Sequence, residues 1–263
     1  MSLVRGTLVA VRGAGDLGTG CIVRLVRSGF RVVALETARP CAIRRTVCLS
    51  EAMFDGSATV EGIRAFRCAD APERWGADEV PIVEDPDARL LGRLAPVALL
   101  DAIVAKRNLG TRIDMAPVVV ALGPGFEAGR DAHAVVETNR GHDLGRVLLS
   151  GSAEPNTGVP GLIAGQSTGR VVHAPVAGTA EPLRSIGDRV EAGAPLLSIG
   201  GTVVHSTISG VVRGMIRPGL DVPAGLKVAD VDPRFVTESC FSVSDKARAV
   251  AGGVLEAILS LAP

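Results

Sequence analysis

A glycine-rich turn between two short apolar runs constrains the first part of the chain most. The stretch VRGAGDLGTG, residues 11–20, places glycines at Gly13, Gly15 and Gly18, which is the spacing G-x-G-x-x-G. The apolar run TLVAVR precedes the turn, and residues 17–29 follow it with apolar side chains at helical spacing. A second apolar run, RVVALE, comes next. This order predicts a strand, a helix and a parallel strand joined through a glycine turn.

The glycine spacing admits two interpretations, a nucleotide-binding turn or an empty turn between a strand and a helix. In the first, Gly13 permits the turn, Gly15 lets a diphosphate approach the backbone, and Gly18 lets the helix pack on the strand. Glu36 follows Gly18 by 18 residues, near the offset of about 20 expected for an acid that binds a ribose hydroxyl. Asp16 is expected to cap the helix, or else to bind the ribose or a metal. We favour nucleotide binding, with these five residues at the site.

Three arginines and one cysteine are further candidates for the chemistry. Arg39, Arg44 and Arg45 come soon after Glu36 and either contact a phosphate or lie in a solvated loop. In a nucleotide site, Arg44 and Arg45 would face the reactive end of the ligand. Cys240 is either a reactive thiol at a domain junction or a buried inert thiol, and we favour the buried thiol.

The rest of the first half alternates segments typical of strands with segments typical of helices. This alternation predicts an α/β, Rossmann-like domain built on a largely parallel sheet. Residues 96–108 fit either a strand or a helix. The other predicted elements are a hairpin over 54–70, a strand over 79–85, and a strand followed by a turn over 117–126.

Two clusters at the end of this half could carry chemistry. Gly123 and Gly125 stand at a strand end, where the turn is either a backbone nest for an anion or a plain turn. The stretch DAHAVVETNRGHD holds two imidazoles and two carboxylates that could form a metal or acid–base site, or could decorate a strand edge without a ligand. These four residues are His133, Glu137, His142 and Asp143.

The second half of the chain contains an internal duplication. HAPVAG at residues 173–178 matches HSTISG at 205–210, an offset of 32 residues. The glycine and proline pattern of the two copies resembles the biotinyl/lipoyl-type barrel-sandwich hybrid, which implies a small all-β domain. The hairpin between the copies, Gly200-Gly201-Thr202, lacks the lysine that carries the cofactor in that family. An interaction or lid domain is therefore expected rather than a cofactor carrier.

The end of the chain predicts a helix that returns to the first domain. Ser244 is a good N-cap, and an apolar stripe follows it, interrupted at Gly252-Gly253. The predicted division is a nucleotide-binding domain over residues 1–165 and 236–263, with the barrel-sandwich domain over 166–235.

Composition excludes several classes of protein. Lysine plus arginine equals aspartate plus glutamate, 28 of each, and aromatic residues make up 3% of the chain, so no nucleic-acid surface is expected. Five cysteines without a C-x-x-C pair indicate reduced thiols rather than a zinc or redox motif. Neither a signal-peptide core nor a membrane-length apolar run is recognised, so a cytoplasmic protein is expected.

Several long segments together resemble the YqeB-type accessory proteins of selenium-dependent molybdenum hydroxylase systems. The resemblance runs nearly end to end. The segments that carry it are residues 12–20, 36–47, 105–117, 122–147, 155–161 and 244–258.

The resemblance implies a role in maturing a molybdenum hydroxylase, through its terminal sulfur or selenium ligand or through the molybdopterin nucleotide. The expected cofactor is a dinucleotide, either NAD-like or the molybdopterin dinucleotide, and the expected partner is the hydroxylase or its maturation machinery. Two alternatives stay open from the residues: a nicotinamide-dependent oxidoreductase with His133 or His142 as acid–base, and a non-catalytic scaffold. Catalysis, the metal and self-association are likewise left open.

Overall fold

The computed structural model describes residues 6–159 and 161–262 and divides the chain into two units. The described residues of the first unit are 6–40, 48–156 and 243–262, and the second unit comprises Cys41–Val47 and Thr157–Ser242. The predicted domain boundaries lie at residues 165 and 236, whereas these units divide after residues 156 and 242. The sequence analysis did not predict that residues 41–47 belong to the second unit. Residues 1–5, 160 and 263, which the prediction assigned to the first domain, lie outside the described residues. Residue 160 also belongs to segment 155–161, one of the segments that carry the family resemblance.

The first unit begins with the strand, helix and strand that the glycine turn predicted. Strand β1 (Leu8–Arg12) leads into helix α1 (Asp16–Arg27), which is followed by strand β2 (Arg31–Glu36). The strands pair in parallel from Leu8 opposite Arg31 onward. The helix is the crossover connection that such a parallel pair requires.

The remaining elements of the first unit build a nine-stranded sheet. These elements are α2 (Ala52–Asp55), β3 (Ser57–Val60), β4 (Ile63–Cys68), β5 (Glu79–Glu84), α3 (Leu91–Leu94), β6 (Ala98–Asp101), β7 (Val118–Leu122), β8 (Glu127–Ala128), β9 (Ala134–Val136), β10 (Val147–Leu148), β11 (Gly151–Ser152) and α4 (Asp245–Leu261). Short 3-10 helices span Leu49–Glu51 and Ile113–Met115. The strand order of the nine-stranded sheet is β10-β9-β7-β6-β1-β2-β5-β4-β3, and a two-stranded sheet pairs β8 with β11.

The fold-class prediction, a Rossmann-like parallel-sheet domain plus a barrel-sandwich hybrid, is wrong. The nine-stranded sheet is mixed, because β3 pairs antiparallel with β4 at one edge and β10 pairs antiparallel with β9 at the other. The path from β2 to β5 runs through the β3–β4 hairpin, and α2 and α3 span only four residues each. A sequence rule that joins parallel strands by helices therefore fails after β2.

Packing covers both faces of the nine-stranded sheet. Buried side chains of alternate strand residues, among them Val33, Leu35, Leu99 and Val119, form a cluster on one face. Helices α1 and α4 pack together, with α4 also contacting β7 and β9. A Cβ added at Gly20 would lie 2.8 Å from the Cβ of Ala247, so the small residues of the two helices allow their close approach.

The second unit consists of two four-stranded antiparallel sheets. The strands are β12 (Val171–His173), β13 (Gly178–Pro182), β14 (Arg189–Val190), β15 (Pro195–Ile199), β16 (Thr202–His205), β17 (Gly210–Met215), β18 (Asp221–Val222) and β19 (Lys227–Asp232). The strand orders of the two sheets are β12-β19-β17-β14 and β16-β15-β13-β18. Short 3-10 helices span Arg45–Val47, Thr168–Arg170 and Thr237–Cys240.

The duplication in the sequence reappears as a duplication of strands. Strands β16 to β19 start 31 or 32 residues after their counterparts β12 to β15. Each sheet takes two strands from each copy. Neither copy can therefore complete a sheet by itself, because four of the six strand pairs join a strand of one copy to a strand of the other.

The segment Cys41–Val47 belongs to the second unit although its neighbours in sequence belong to the first. The amide of Met215 donates to the carbonyl of Ile43 at 2.7 Å, and a Cβ added at Gly214 would lie 3.1 Å from the Ile43 side chain. The segment therefore packs directly against β17. Within the described part of the chain, no helix has the length and apolar character needed to cross a membrane.

Candidate functional site

The turn between β1 and α1 requires two of its three glycines for its own packing. Gly13 has φ +96°, and a Cβ there would lie 3.0 Å from the backbone of Ala102 and Ile103. A Cβ on Gly18 would overlap the carbonyl oxygen of Gly13. These two positions are therefore glycine because the turn is tight and the helix lies close to it.

Gly15 is different, because neither its packing nor its backbone conformation requires glycine. It is the N-cap residue of α1, with φ −69° and ψ −166°, a conformation open to any residue. A Cβ built on it would have no heavy atom within 4 Å. The open space lies at the first turn of α1, where backbone N–H groups lack partners within the helix.

The carboxylate of Glu36 lies beside this turn. Its Oε2 accepts a hydrogen bond from the amide of Ala14 and its Oε1 accepts one from the amide of Thr37, both at 2.8 Å. Burial raises the pKa of Glu36, and the two backbone hydrogen bonds oppose that rise. The end of β2 is thereby fixed against the glycine turn, and binding of a ribose by Glu36 stays a prediction.

Asp16 occupies the first position of α1 and is not its cap. The N-cap is Gly15, which has no side chain to accept the hydrogen bond of a capping residue. The negative charge of Asp16 in the first turn is still favourable toward the helix dipole. The predicted capping role of Asp16 is therefore corrected to a charge interaction.

A buried polar network at the ends of β1 and β6 escaped the sequence analysis. Arg12 donates from Nη1 to Thr111 Oγ1 at 2.8 Å and lies 3.4 Å from Asp101 Oδ2. The Thr111 hydroxyl donates to the same Asp101 oxygen at 2.5 Å. Burial raises the pKa of Asp101, against the hydrogen bonds and the arginine charge. The signal in the sequence was a charged residue ending each apolar run, VAVR and ALLD.

The second glycine turn, after β7, is filled by the protein itself. Gly125 has φ +105°, and a Cβ there would lie 2.5 Å from the Cα of Arg107. Gly123 has φ +71°, and a Cβ there would overlap the hydroxyl of Thr138. Of the two interpretations of this turn, a packed connection fits these contacts better than an anion nest.

The two histidines and two carboxylates between residues 133 and 143 have separate structural partners. His133 Nδ1 accepts the amide of Val119 at 2.9 Å. Glu137 accepts the amides of Asn139 and Glu154, at 2.6 Å and 2.7 Å. His142 and Asp143 lie in a turn. His142 is exposed there, and Asp143 pairs with Arg146 at 3.1 Å.

No metal site is found in the described ranges, 6–159 and 161–262. These ranges contain no group of three or more histidine, cysteine, aspartate or glutamate side chains that could hold a metal ion. The stretch His133–Asp143 therefore does not assemble such a group.

Three predicted candidates lie in the second unit and contact its backbone. Arg44 donates to the carbonyl of Ser239 at 3.1 Å, and Arg45 donates to the carbonyl of Met215 at 2.8 Å. The thiol of Cys240 is buried, 3.7 Å from the carbonyl of Val212, and burial raises its pKa. A buried thiol with a raised pKa has little thiolate character, so the inert role is the better one for Cys240.

Comparison with known proteins places the chain among relatives. No protein family model matches it. An aspartoacylase family protein from Mesorhizobium loti is similar at 15% identity and a TM-score of 0.27, over 86% of this chain and 84% of that one. A succinylglutamate desuccinylase from Silicibacter sp. TM1040 is similar at 14% identity and a TM-score of 0.26, over 86% and 85%. Scores this low carry no argument about fold or activity.

A curated protein of Escherichia coli K12, described as uncharacterized protein YqeB, is 49% identical over 257 residues. The match takes in 97% of this chain and 48% of the relative, so the chain spans about half the length of the curated relative it matches. The chain is therefore a relative of YqeB over nearly its whole length, and the YqeB-type resemblance of its motifs is confirmed.

Proposed function

We propose that the first unit binds the diphosphate of a nucleotide at the turn between β1 and α1, as the accessory part of a YqeB-type protein. The observation that carries the proposal is Gly15. Its neighbours Gly13 and Gly18 are explained by packing, whereas Gly15 faces open space at the first turn of a helix of 12 residues. A bound diphosphate would explain the glycine, because a side chain there would occupy its place.

The backbone of α1 would supply the attraction for the phosphates. The N–H groups of the first helical turn have no partner within the helix, and the positive end of the helix dipole lies at the same place. Asp16 and Glu36 are both acidic, so the site offers the ligand main-chain donors rather than a cluster of cations. This balance favours a ligand with one diphosphate over one with additional phosphate groups.

Glu36 would bind the sugar of the nucleotide. Each of its oxygens accepts one backbone amide and keeps acceptor capacity for a ribose hydroxyl. A 2′-phosphate at the same place would be repelled by the carboxylate. The proposed ligand is therefore an NAD-like dinucleotide or the molybdopterin dinucleotide, and not NADP.

The proposed role of the bound nucleotide is maturation of a molybdenum hydroxylase. It rests on the relationship to YqeB and on the motifs that resemble accessory proteins of such systems. In this role the chain would handle the molybdopterin dinucleotide or its terminal sulfur or selenium ligand. The hydroxylase or its maturation machinery would be the partner of the complete protein.

The oxidoreductase alternative gains no support from the arrangement of the histidines. His133 is bound to the Val119 amide through Nδ1, and His142 is exposed in the turn before Asp143. Neither approaches the Gly15 turn through a contact found in the described residues. A scaffold without a ligand remains as the outcome of a negative binding test.

The test is ligand identification followed by a variant. The purified chain is denatured, and released small molecules are identified by mass spectrometry. Thermal unfolding is then followed with NAD, NADP, CDP and GDP. A ligand at 100 times its Kd stabilises the folded state by about 2.7 kcal/mol, and Gly15→Val is expected to abolish this gain.

Gly252→Val is the matched control, because Gly252 also has no atom within 4 Å of a built Cβ. It lies in α4, so its ligand response should equal that of the parent chain. A nucleotide-induced rise in Tm that survives Gly15→Val would overturn the site. A chain that responds to no nucleotide would favour the scaffold.

A further inference from the structure

A pocket lies along α1 from Gly20 to the residue after its C-terminal end. Its volume is about 310 Å³, and its lining includes Gly20, Arg24, Arg27 and Ser28 of the α1 region together with Arg248 of α4. All of these residues belong to the first unit. Its lining contains no residue of the glycine turn, so this pocket is separate from the space beside Gly15.

Positive charge dominates the pocket. Three guanidinium groups line it, and one carboxylate, that of Glu61, contacts two of them. Arg27 Nη1 lies 3.2 Å from Glu61 Oε2, and Arg248 Nη2 lies 2.6 Å from Glu61 Oε1. With Arg24 included, three lining cations face this one anion, a surplus of two.

Glu61 is fixed in place and therefore orients the two arginines. It lies in the turn between β3 and β4 with φ +48°, an uncommon backbone conformation for a residue other than glycine. Its Oε1 also accepts the amide of Val243 at 3.0 Å, and its carbonyl accepts Arg27 Nη2 at 2.7 Å. The side chain of Glu61 is 16% exposed, whereas those of Arg27 and Arg248 are about half exposed.

Arg24 is the third cation. It is exposed, and in the part of the chain that the structure describes no hydrogen bond or ion pair engages its side chain. A guanidinium group presents a rigid fork of donors that matches the oxygens of a phosphate or carboxylate. Arg24 thus adds an unengaged donor group to a pocket in which two further arginines are already oriented.

We propose that this pocket binds the phosphate group of a small phosphorylated molecule. Three guanidinium groups around one cavity repel one another, and an anion with two negative charges would neutralise the surplus of two. The volume is at the lower end of the range for small-molecule sites and leaves room beyond a bare phosphate ion. The proposal is independent of the nucleotide at the Gly15 turn.

The test is calorimetric titration of inorganic phosphate and of glycerol 2-phosphate into the purified chain at low ionic strength. Arg24→Gln is expected to weaken phosphate binding about tenfold, the effect of losing one hydrogen bond to a charged group. Arg24 is exposed and unengaged in the described structure, so the variant should fold.

Two controls separate this site from others. Arg74→Gln removes an exposed arginine of the same unit that does not line the pocket and should leave phosphate binding unchanged. Gly15→Val should also leave it unchanged, so failure of the nucleotide site and failure of this pocket are distinguishable. Equal phosphate affinity in the parent chain and Arg24→Gln, or no binding by the parent, would overturn the proposal. Tighter binding of glycerol 2-phosphate than of phosphate would support an organic ligand.

Discussion

Two glycine turns, each at the carboxyl end of a parallel strand, differ in what they leave open. The turn after β1 contains Gly15, whose missing side chain faces empty space, whereas the turn after β7 is closed by Arg107 and Thr138 around its two glycines. Both turns looked like candidate anion sites in sequence. The comparison teaches that a glycine indicates a ligand only where neither its backbone conformation nor its packing already requires it.

The largest expected effect belongs to the closed turn. Gly125→Ala would place a Cβ 2.5 Å from the Cα of Arg107, at φ +105°. Backbone strain and overpacking together are expected to lower the free energy of unfolding by about 3 kcal/mol or more. Urea unfolding followed by circular dichroism measures the loss.

Gly110→Ala is the matched control for that substitution. Gly110 has φ +96° but no atom within 4 Å of a built Cβ, so only the backbone term of about 1 kcal/mol applies. Equal losses in the two variants would show that the turn after β7 is not closed by packing, and the comparison of the turns would fail.

A smaller effect is expected from the acid beside the open turn. Burial raises the pKa of Glu36 in the folded state above its unfolded value of about 4.3. The contribution of this carboxyl to stability is therefore fully present below about pH 4 and is lost as the pH rises through the raised pKa. Glu36→Gln does not titrate, so the unfolding free energy of the parent should fall relative to that of the variant over this rise.

Urea unfolding of both proteins between pH 4 and pH 8 measures this difference. Asp101, whose pKa is also raised, is present in both and cancels. A difference that stays constant with pH, or that favours the parent as the pH rises, would contradict the burial of Glu36 against the glycine turn.

The smallest expected effect is that of a substitution in the open turn after β1. Gly15→Ala without ligand should lower the free energy of unfolding by no more than about 1 kcal/mol, the preference for glycine over alanine at an N-cap, because the added Cβ meets no neighbour. The measurement is the same urea titration. A loss as large as that of Gly125→Ala would mean that Gly15 is required by the fold, and the argument for a ligand would disappear.

Local patterns predicted much of the secondary structure. The run RVVALE is β2, residues 79–85 contain β5, and Ser244 caps α4 by accepting the amide of Ala247. The strand start positions of the second unit repeat at the predicted spacing. These features depend on neighbours close in sequence, where turn chemistry and apolar periodicity act directly.

The fold class and the residues around the sites depended on distant contacts. The hairpin predicted over residues 54–70 is β3–β4, but its place at the edge of the nine-stranded sheet was not predicted, nor was the assignment of residues 41–47 to the second unit. Glu61 meets Arg27 across 34 residues and Arg248 across 187. No local sequence pattern predicts such pairs, because their members lie far apart in the chain.

The sequence by itself determined the strand–turn–helix–strand start, the capped last helix, the duplicated β segment and the relationship to YqeB. Tertiary structure alone decided which glycines are packed, which arginines share a pocket, and that the sheet is mixed. The physical reason is that local conformation follows from nearby residues, whereas free space and charge surplus depend on which distant side chains arrive at the same place.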